Sequence, residues 1–228
     1  MNMTGADVRA ARERRGWQQE ELAARLGVSQ GYVSLFESGQ RPVSKRLAAK
    51  LVSLLSLSPS TLPVSTRPKP LPSQQVARAL GRLGYPGFAY LRSGSKVNPM
   101  EALLGALLAD DVDARVVEGL PWLLVRYPDV DWDQLVAYAK QHDAQNRLGF
   151  LVALAGRLAA ANGDVATTKL LERREQALQR SLLQHDDAFS RTSLTQAERR
   201  WLAANRSPEA KRWNLLATLN VDRLLNAG

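Results

Sequence analysis

The sequence predicts an all-α chain in two helical parts, on three observations. Apolar residues recur at three- and four-residue steps, the spacing that lines one face of a helix. No alternating strand pattern closed by a hairpin turn interrupts them. The stretch SPSTLPVSTRPKPLPS, Ser58 to Ser73, carries Pro59, Pro63, Pro68, Pro70 and Pro72. Proline has no N–H to give and clashes with the preceding turn, so continuous helix is impossible there and an extended, semi-rigid spacer is expected. The expected organisation is a helical unit at residues 1–62, a Pro-rich linker at 63–72 and a larger α-helical unit at 73–228.

In the first unit Val8, Ala11, Leu22, Leu26, Val33, Phe36, Leu47, Leu51 and Leu54 mark short helices broken by glycine, about five in all. In the second, capping signals set the starts. Asn98-Pro99-Met100-Glu101 has a capping Asn, Pro at the first helical position and an acid in the first turn. Asp131 with Gln134 and Thr195 with Glu198 have capping-box spacing, and Ser207-Pro208-Glu209 is a further N-terminal signature. These place helices at about 73–84, 99–109, 112–127, 132–143, 145–161, 166–184, 196–205 and 208–226, punctuated by Gly84-Tyr85-Pro86-Gly87 and Gly163.

Composition narrows the function classes. The chain has 228 residues, 45% of them apolar and 23% charged, which is ordinary for a globular protein. Cysteine is absent, which removes disulfides, thiolate metal sites and a cysteine nucleophile. The start, MNMTGADVRAARERRG, has no apolar secretory stretch, and no run reaches the ~18 apolar residues of a membrane span, so a cytoplasmic protein without a membrane partner is expected. The net charge of +9 invites a polyanion. Up to Ser58 nine basic residues face five acidic ones; the spacer adds Arg67 and Lys69; the much larger remainder carries 20 against 17. Positive charge is densest at the N-terminus.

There, QQEELAARLGVSQGYVSLFES (Gln18 to Ser38) reads as a short helix, a turn at Gly27-Val28-Ser29 and a second short helix. Gly27 can take positive φ, Ser29 can cap the second helix, and Ala23, Leu26, Val28 and Val33 stand where the two helices must pack. The whole run, with Gln19, Leu22-Ala23, Gly27-Val28-Ser29, Ser34, Glu37 and Gly39, resembles the Cro/phage-repressor (XRE) helix-turn-helix family over residues 4 to about 62. The resemblance implies that the helix from Ser29 to Glu37 enters the major groove of double-stranded DNA. Ser29, Gln30, Gly31, Ser34 and Leu35 are then the base-reading positions. Gln30 and Ser34 lead, because an amide can pair with an adenine edge and Ser34 lies one turn further on the same face. Gly31 offers only close backbone approach, and Leu35 replaces a side chain that is basic or polar in many relatives, leaving thymine-methyl contact or packing. Gln19, Tyr32, Arg41 and Lys45 are placed for phosphates, which fix register without reading sequence. The same resemblance implies a partly buried ion pair between Arg12 and Glu37, and a homodimer on an inverted repeat.

The larger part offers little chemistry. His142 and His185 are 43 residues apart without a second ligand at metal spacing and read as solvated helix-end histidines. No Walker loop or Gly-x-Ser-x-Gly occurs. Gly94-Ser95 followed by Asp111-Val-Asp113 loosely matches nucleotidyltransferase elements, in which two carboxylates on one strand face hold a metal; either Asp also explains itself as a helix cap. No catalytic residue, metal or cofactor is therefore expected. Glu118, Pro121-Trp122, Asp131-Trp132, Leu135, Ala139 and Asn146-Arg147-Leu148-Gly149-Phe150 resemble the C-terminal region of regulators encoded beside AbiE-type nucleotidyltransferase toxins. That resemblance implies an autoregulating antitoxin with a cognate nucleotidyltransferase toxin as partner. Its alternatives are a stand-alone repressor whose second unit senses a ligand or dimerises, and a DNA-tethered nucleotidyltransferase-like enzyme. Asn146, Arg147, Arg200, Arg212 and Trp213 are the candidate partner contacts. For Asn146 and Arg147 closure of a helix turn is the other reading; for the basic, aromatic end around Arg200 to Trp213 it is a solvated face with buried tryptophans.

Overall fold

In a computed structural model, which describes residues 3–189 and 194–225, the chain is all-helical, with no strand among the described residues. The N-terminal bundle holds α1 (Gly5–Arg14), α2 (Gln19–Leu26), α3 (Gln30–Glu37), α4 (Lys45–Leu55) and a 3-10 turn at Pro59–Thr61. Its core is Val8, Ala11, Leu22, Ala23, Leu26, Val33, Phe36, Leu47, Leu51 and Leu55, which adds Ala23 and Leu55 to the periodic apolar set read from the sequence and leaves Leu54 at its margin. Thr4 opens α1 with a capping box, accepting from the Asp7 N–H while the Asp7 carboxylate takes the Thr4 N–H, and Ser44 caps α4 by accepting from the Leu47 N–H.

The larger part contains α5 (Ser73–Leu83), α6 (Pro99–Leu107), α7 (Ala114–Arg126), α8 (Trp132–Gln141), α9 (Gln145–Ala161), α10 (Val165–Gln179), α11 (Gln196–Ala204), α12 (Pro208–Arg212) and α13 (Val221–Leu225), with a 3-10 segment at Pro86–Leu91. Helix α9 is its axis: Leu148, Phe150, Leu151, Leu154, Ala155 and Ala159 are wholly enclosed, because α7, α8, α10, α12 and α13 all pack against it. Asn98, Asp113, Asp131, Asp164, Thr195 and Ser207 each cap the following helix through the side-chain oxygen.

Two expectations need correction. The helix expected at 208–226 is two short helices separated by Trp213–Asn220; residue 226 lies outside the described residues. Trp213 plugs the space left by Gly149 on α9, where an added Cβ would stand 2.2 Å from the indole, and Asn214 then takes φ 50°. The backbone beyond pairs with Asp187 instead of itself: Asp187 N donates to Asn214 O at 2.9 Å and Leu216 N to Asp187 O at 2.8 Å. Likewise α10 ends at Gln179, not 184, because residues past it pair with α9: Asn146 Nδ2 donates to Leu183 O at 2.9 Å while Asn146 Oδ1 accepts from Leu183 N at 2.9 Å.

Between the 3-10 turn at Pro59–Thr61 and the start of α5 the proline stretch forms no helix, as its composition demands, but it is not free. Leu71 seats its side chain against Gly105 of α6, where a Cβ would lie 2.4 Å from it, and its N–H donates to the Gly105 carbonyl at 2.9 Å. Ser65 N donates to Glu101 Oε1 at 2.8 Å and Tyr138 Oη to Thr66 O at 3.1 Å. Upstream, the buried Asn98 amide donates to the carbonyls of Ser60 (3.0 Å) and Leu62 (2.6 Å), and Ser60 Oγ to Asp129 Oδ1 at 3.0 Å. The end of the N-terminal bundle is thereby clasped to the start of α6 by short, specific bonds.

Candidate nucleic-acid interface

Helices α2 and α3 meet through a turn whose geometry the sequence dictates. Gly27 adopts φ 73°, ψ 41°, the left-handed region that costs an L side chain energy, and its N–H closes α2 on Ala23 O. Lys50 from α4 donates to Leu26 O at 3.3 Å, satisfying another carbonyl of that terminus. Ser29 then caps α3 by accepting from the Tyr32 N–H at 3.2 Å. With Val33 and Phe36 buried against α2, the opposite face of α3 must point outward. Gln30, Gly31 and Leu35 are exposed there, Ser34 half-buried beside them. Leu35 is 40% exposed, unusual for a leucine in a compact bundle, and Gly31 has open space where a side chain would stand.

Behind this face runs a continuous polar chain. Arg12 Nε and Nη2 donate to Glu37 Oε1 and Oε2 at 2.7 and 2.9 Å, a bidentate pair with side chains 8% and 3% exposed, and Arg12 Nη1 donates to Trp17 O at 2.7 Å. The hydrogen bond to Glu37 raises the Arg12 pKa against the opposing effect of burial, so the guanidinium stays charged. Glu37 Oε2 also accepts from Gln19 Nε2 at 3.0 Å, and Gln19 Oε1 accepts from Gln30 Nε2 at 2.7 Å. Every link fixes the next amide, so Gln30 arrives at the surface already oriented. Its Oε1 and second N–H remain, a donor–acceptor pair that matches the major-groove edge of adenine.

Around the face, the Arg41 guanidinium lies 4.7 Å from the Tyr32 ring centre, and Tyr32 packs edge-on to Phe36. Lys45 opens α4, exposed beside the capped helix N-terminus. Gln19 with Gln30, and Tyr32 with Arg41, thus form two contacting pairs, Ser29 acts as a cap, and Lys45 is exposed at the start of α4. Sequence reasoning missed Arg25, whose guanidinium lies 4.1 Å from the centre of the Trp17 ring; no local spacing signals a stack between α2 and the loop before it.

Residues 8–62 match the helix-turn-helix family model. No curated protein and no solved structure matches the chain. The helix-turn-helix match supports a DNA-binding transcription regulator, and its residues are those that build α2, the Gly27 turn and α3.

The other predicted residues fall elsewhere. Asn146 and Trp213 are fully enclosed and are removed from any surface: Asn146 spends its amide on Leu183, and Trp213 fills the Gly149 niche. Arg147 is mostly covered, donating to both Asp187 oxygens (2.6 and 3.0 Å) and to Leu107 O (2.8 Å), which ties α9 to the loop at Asp187 and to the C-terminal end of α6. Arg200 is exposed, and Arg212 is exposed while donating to Glu175 Oε1 at 3.0 Å; of the two tryptophans at this end, Trp201 is 60% exposed. Asp113 caps α7 by accepting from the Arg115 N–H at 2.9 Å, so Asp111 and Asp113 flank a helix start and do not share a strand face. His142 and His185, read as separate, line one open cleft with Asp110, Asp143, Arg147 and Asp187. Among the described residues no group of three or more His, Cys, Asp or Glu is arranged to hold a metal, and no helix is long and apolar enough to cross a membrane.

Proposed function

We propose that this protein is a sequence-specific transcriptional repressor that binds an inverted-repeat operator as a homodimer, with α3 in the major groove. The observation that carries this reading is the Arg12–Glu37–Gln19–Gln30 chain, which delivers one oriented amide to the outward face of α3. Gln30 and Ser34 read bases, Leu35 meets a thymine methyl, and Gln19, Tyr32, Arg41 and Lys45 hold phosphates. A module of this size covers little DNA, which favours two copies on half-sites about 34 Å apart, joined through the larger helical part.

The resemblance at Glu118, Pro121-Trp122, Asp131-Trp132 and Asn146 to Phe150 extends the proposal: the regulator is the antitoxin of a neighbouring nucleotidyltransferase-type toxin and represses their shared operon. Burial of most of those residues assigns the resemblance to the helical framework, so a toxin contact must use exposed positions such as Arg200 and Arg212. Co-expression with the product of the adjacent gene tests this. Relief of growth arrest by the wild type is the expected result; arrest that persists beside soluble regulator removes the antitoxin role and leaves the repressor.

A further inference from the structure

Helices α9, α10 and α12 enclose a cleft of about 520 Å³ whose composition differs from the rest of this basic protein. Its floor is a row of small residues on α9, Ala153, Gly156 and Ala160, so no side chain from the floor fills the space. Its walls carry three carboxylates, Glu172, Glu175 and Glu209, against two guanidiniums, Arg157 and Arg212. Arg212 is bonded to Glu175 at 3.0 Å and Arg157 to Glu209 Oε1 at 2.6 Å, while Glu172 has no ion pair among the described residues.

Glu209 is the unusual member. It is 2% exposed, and its second oxygen, Oε2, has no hydrogen-bond partner among the described residues. A buried carboxylate oxygen left unbonded is costly, and cores rarely keep one without a use. Among the described residues the only cation paired with Glu209 is Arg157, whose side chain is 51% exposed and therefore free to turn outward. Three carboxylates against two guanidiniums leave the cleft one negative charge in surplus.

We propose that this cleft binds a small organic cation carrying primary ammonium or guanidinium donors, which bond Glu209 and Glu172 while Arg157 swings aside. The cleft volume lies in the range of small-molecule sites, and its surplus carboxylate gives charge selection in a chain of net charge +9. The site shares no residue with α3 and is independent of the DNA-binding proposal.

Isothermal titration of the full chain with agmatine, and with tetramethylammonium as a cation without N–H donors, tests it. Agmatine is expected to bind at one site and tetramethylammonium not to bind. Glu209→Gln and Glu172→Gln should each weaken agmatine about tenfold, the worth of one charge-assisted hydrogen bond, whereas Arg157→Ala should tighten it by removing the internal competitor. If Glu209→Gln fails to fold, the exposed Glu172→Gln and Arg157→Ala decide. Agmatine that binds no better than tetramethylammonium, or equally in the wild type and both variants at Glu172 and Arg157, overturns the site. A capped Gly-Arg-Gly peptide separates the sources of the cation: weaker binding than agmatine is expected, and equal or tighter binding overturns a free small molecule as the ligand.

Discussion

The two helical parts bury polar side chains to opposite ends. In the N-terminal bundle the buried pair Arg12–Glu37 leads outward through Gln19 to Gln30, so the interior orients a surface group. In the larger part Asn98, Asn146 and Arg147 lead inward, spending their donors on backbone carbonyls of Ser60, Leu62, Leu183 and Leu107 to hold loops against helices. The first kind of network costs stability when cut and also disturbs recognition; the second costs stability alone. That difference separates a reading element from a scaffold more sharply than charge density does.

Substitutions that cut each network test the distinction. Arg12→Ala is expected to have the largest effect, destabilising by about 3–5 kcal/mol because it strands the Glu37 carboxylate in the core; urea denaturation measures it, and a loss below ~1 kcal/mol would mean the pair is not buried in solution. Asn146→Ala should cost about 1–2 kcal/mol, since it leaves the N–H of Leu183 unpaired while the Leu183 carbonyl keeps the Asn214 Nδ2 donor at 2.9 Å. Its DNA preference, measured on the folded fraction, should not change. Gln30→Ala should leave the denaturation midpoint within about 0.5 kcal/mol of the wild type, as an exposed helix residue does, yet lose about 1–3 kcal/mol of discrimination between operator and random duplex. Lys45→Ala should do least, weakening all duplexes alike and lowering the slope of log affinity against log salt by about 1.

Local chemistry made much of this legible. Helix starts followed from the caps at Asn98, Asp131, Thr195 and Ser207, and α9 spans 145–161 as its apolar period indicates. What sequence could not show is pairing across distance. Trp213 ends a helix because Gly149, 64 positions earlier, leaves a hole for it, and Leu71 turns a spacer into a strap because Gly105 does the same. Asn146 holds the backbone at Leu183, past the end of α10, a partner that local spacing does not indicate. The Arg12–Glu37 pair follows from the family resemblance, whereas its continuation to Gln30 depends on the crossing of α2 and α3, which residue spacing leaves undetermined.

The central claim is that an oriented Gln30 reads sequence. Fluorescence anisotropy of the wild type and Gln30→Ala on duplex from upstream of the gene and on random duplex, at matched salt, tests it most directly. The wild type is expected to prefer the upstream duplex by tenfold or more, about 1.4 kcal/mol, and Gln30→Ala to bind both duplexes equally while retaining non-specific affinity. A wild type without preference, or a variant that keeps it, would contradict the account.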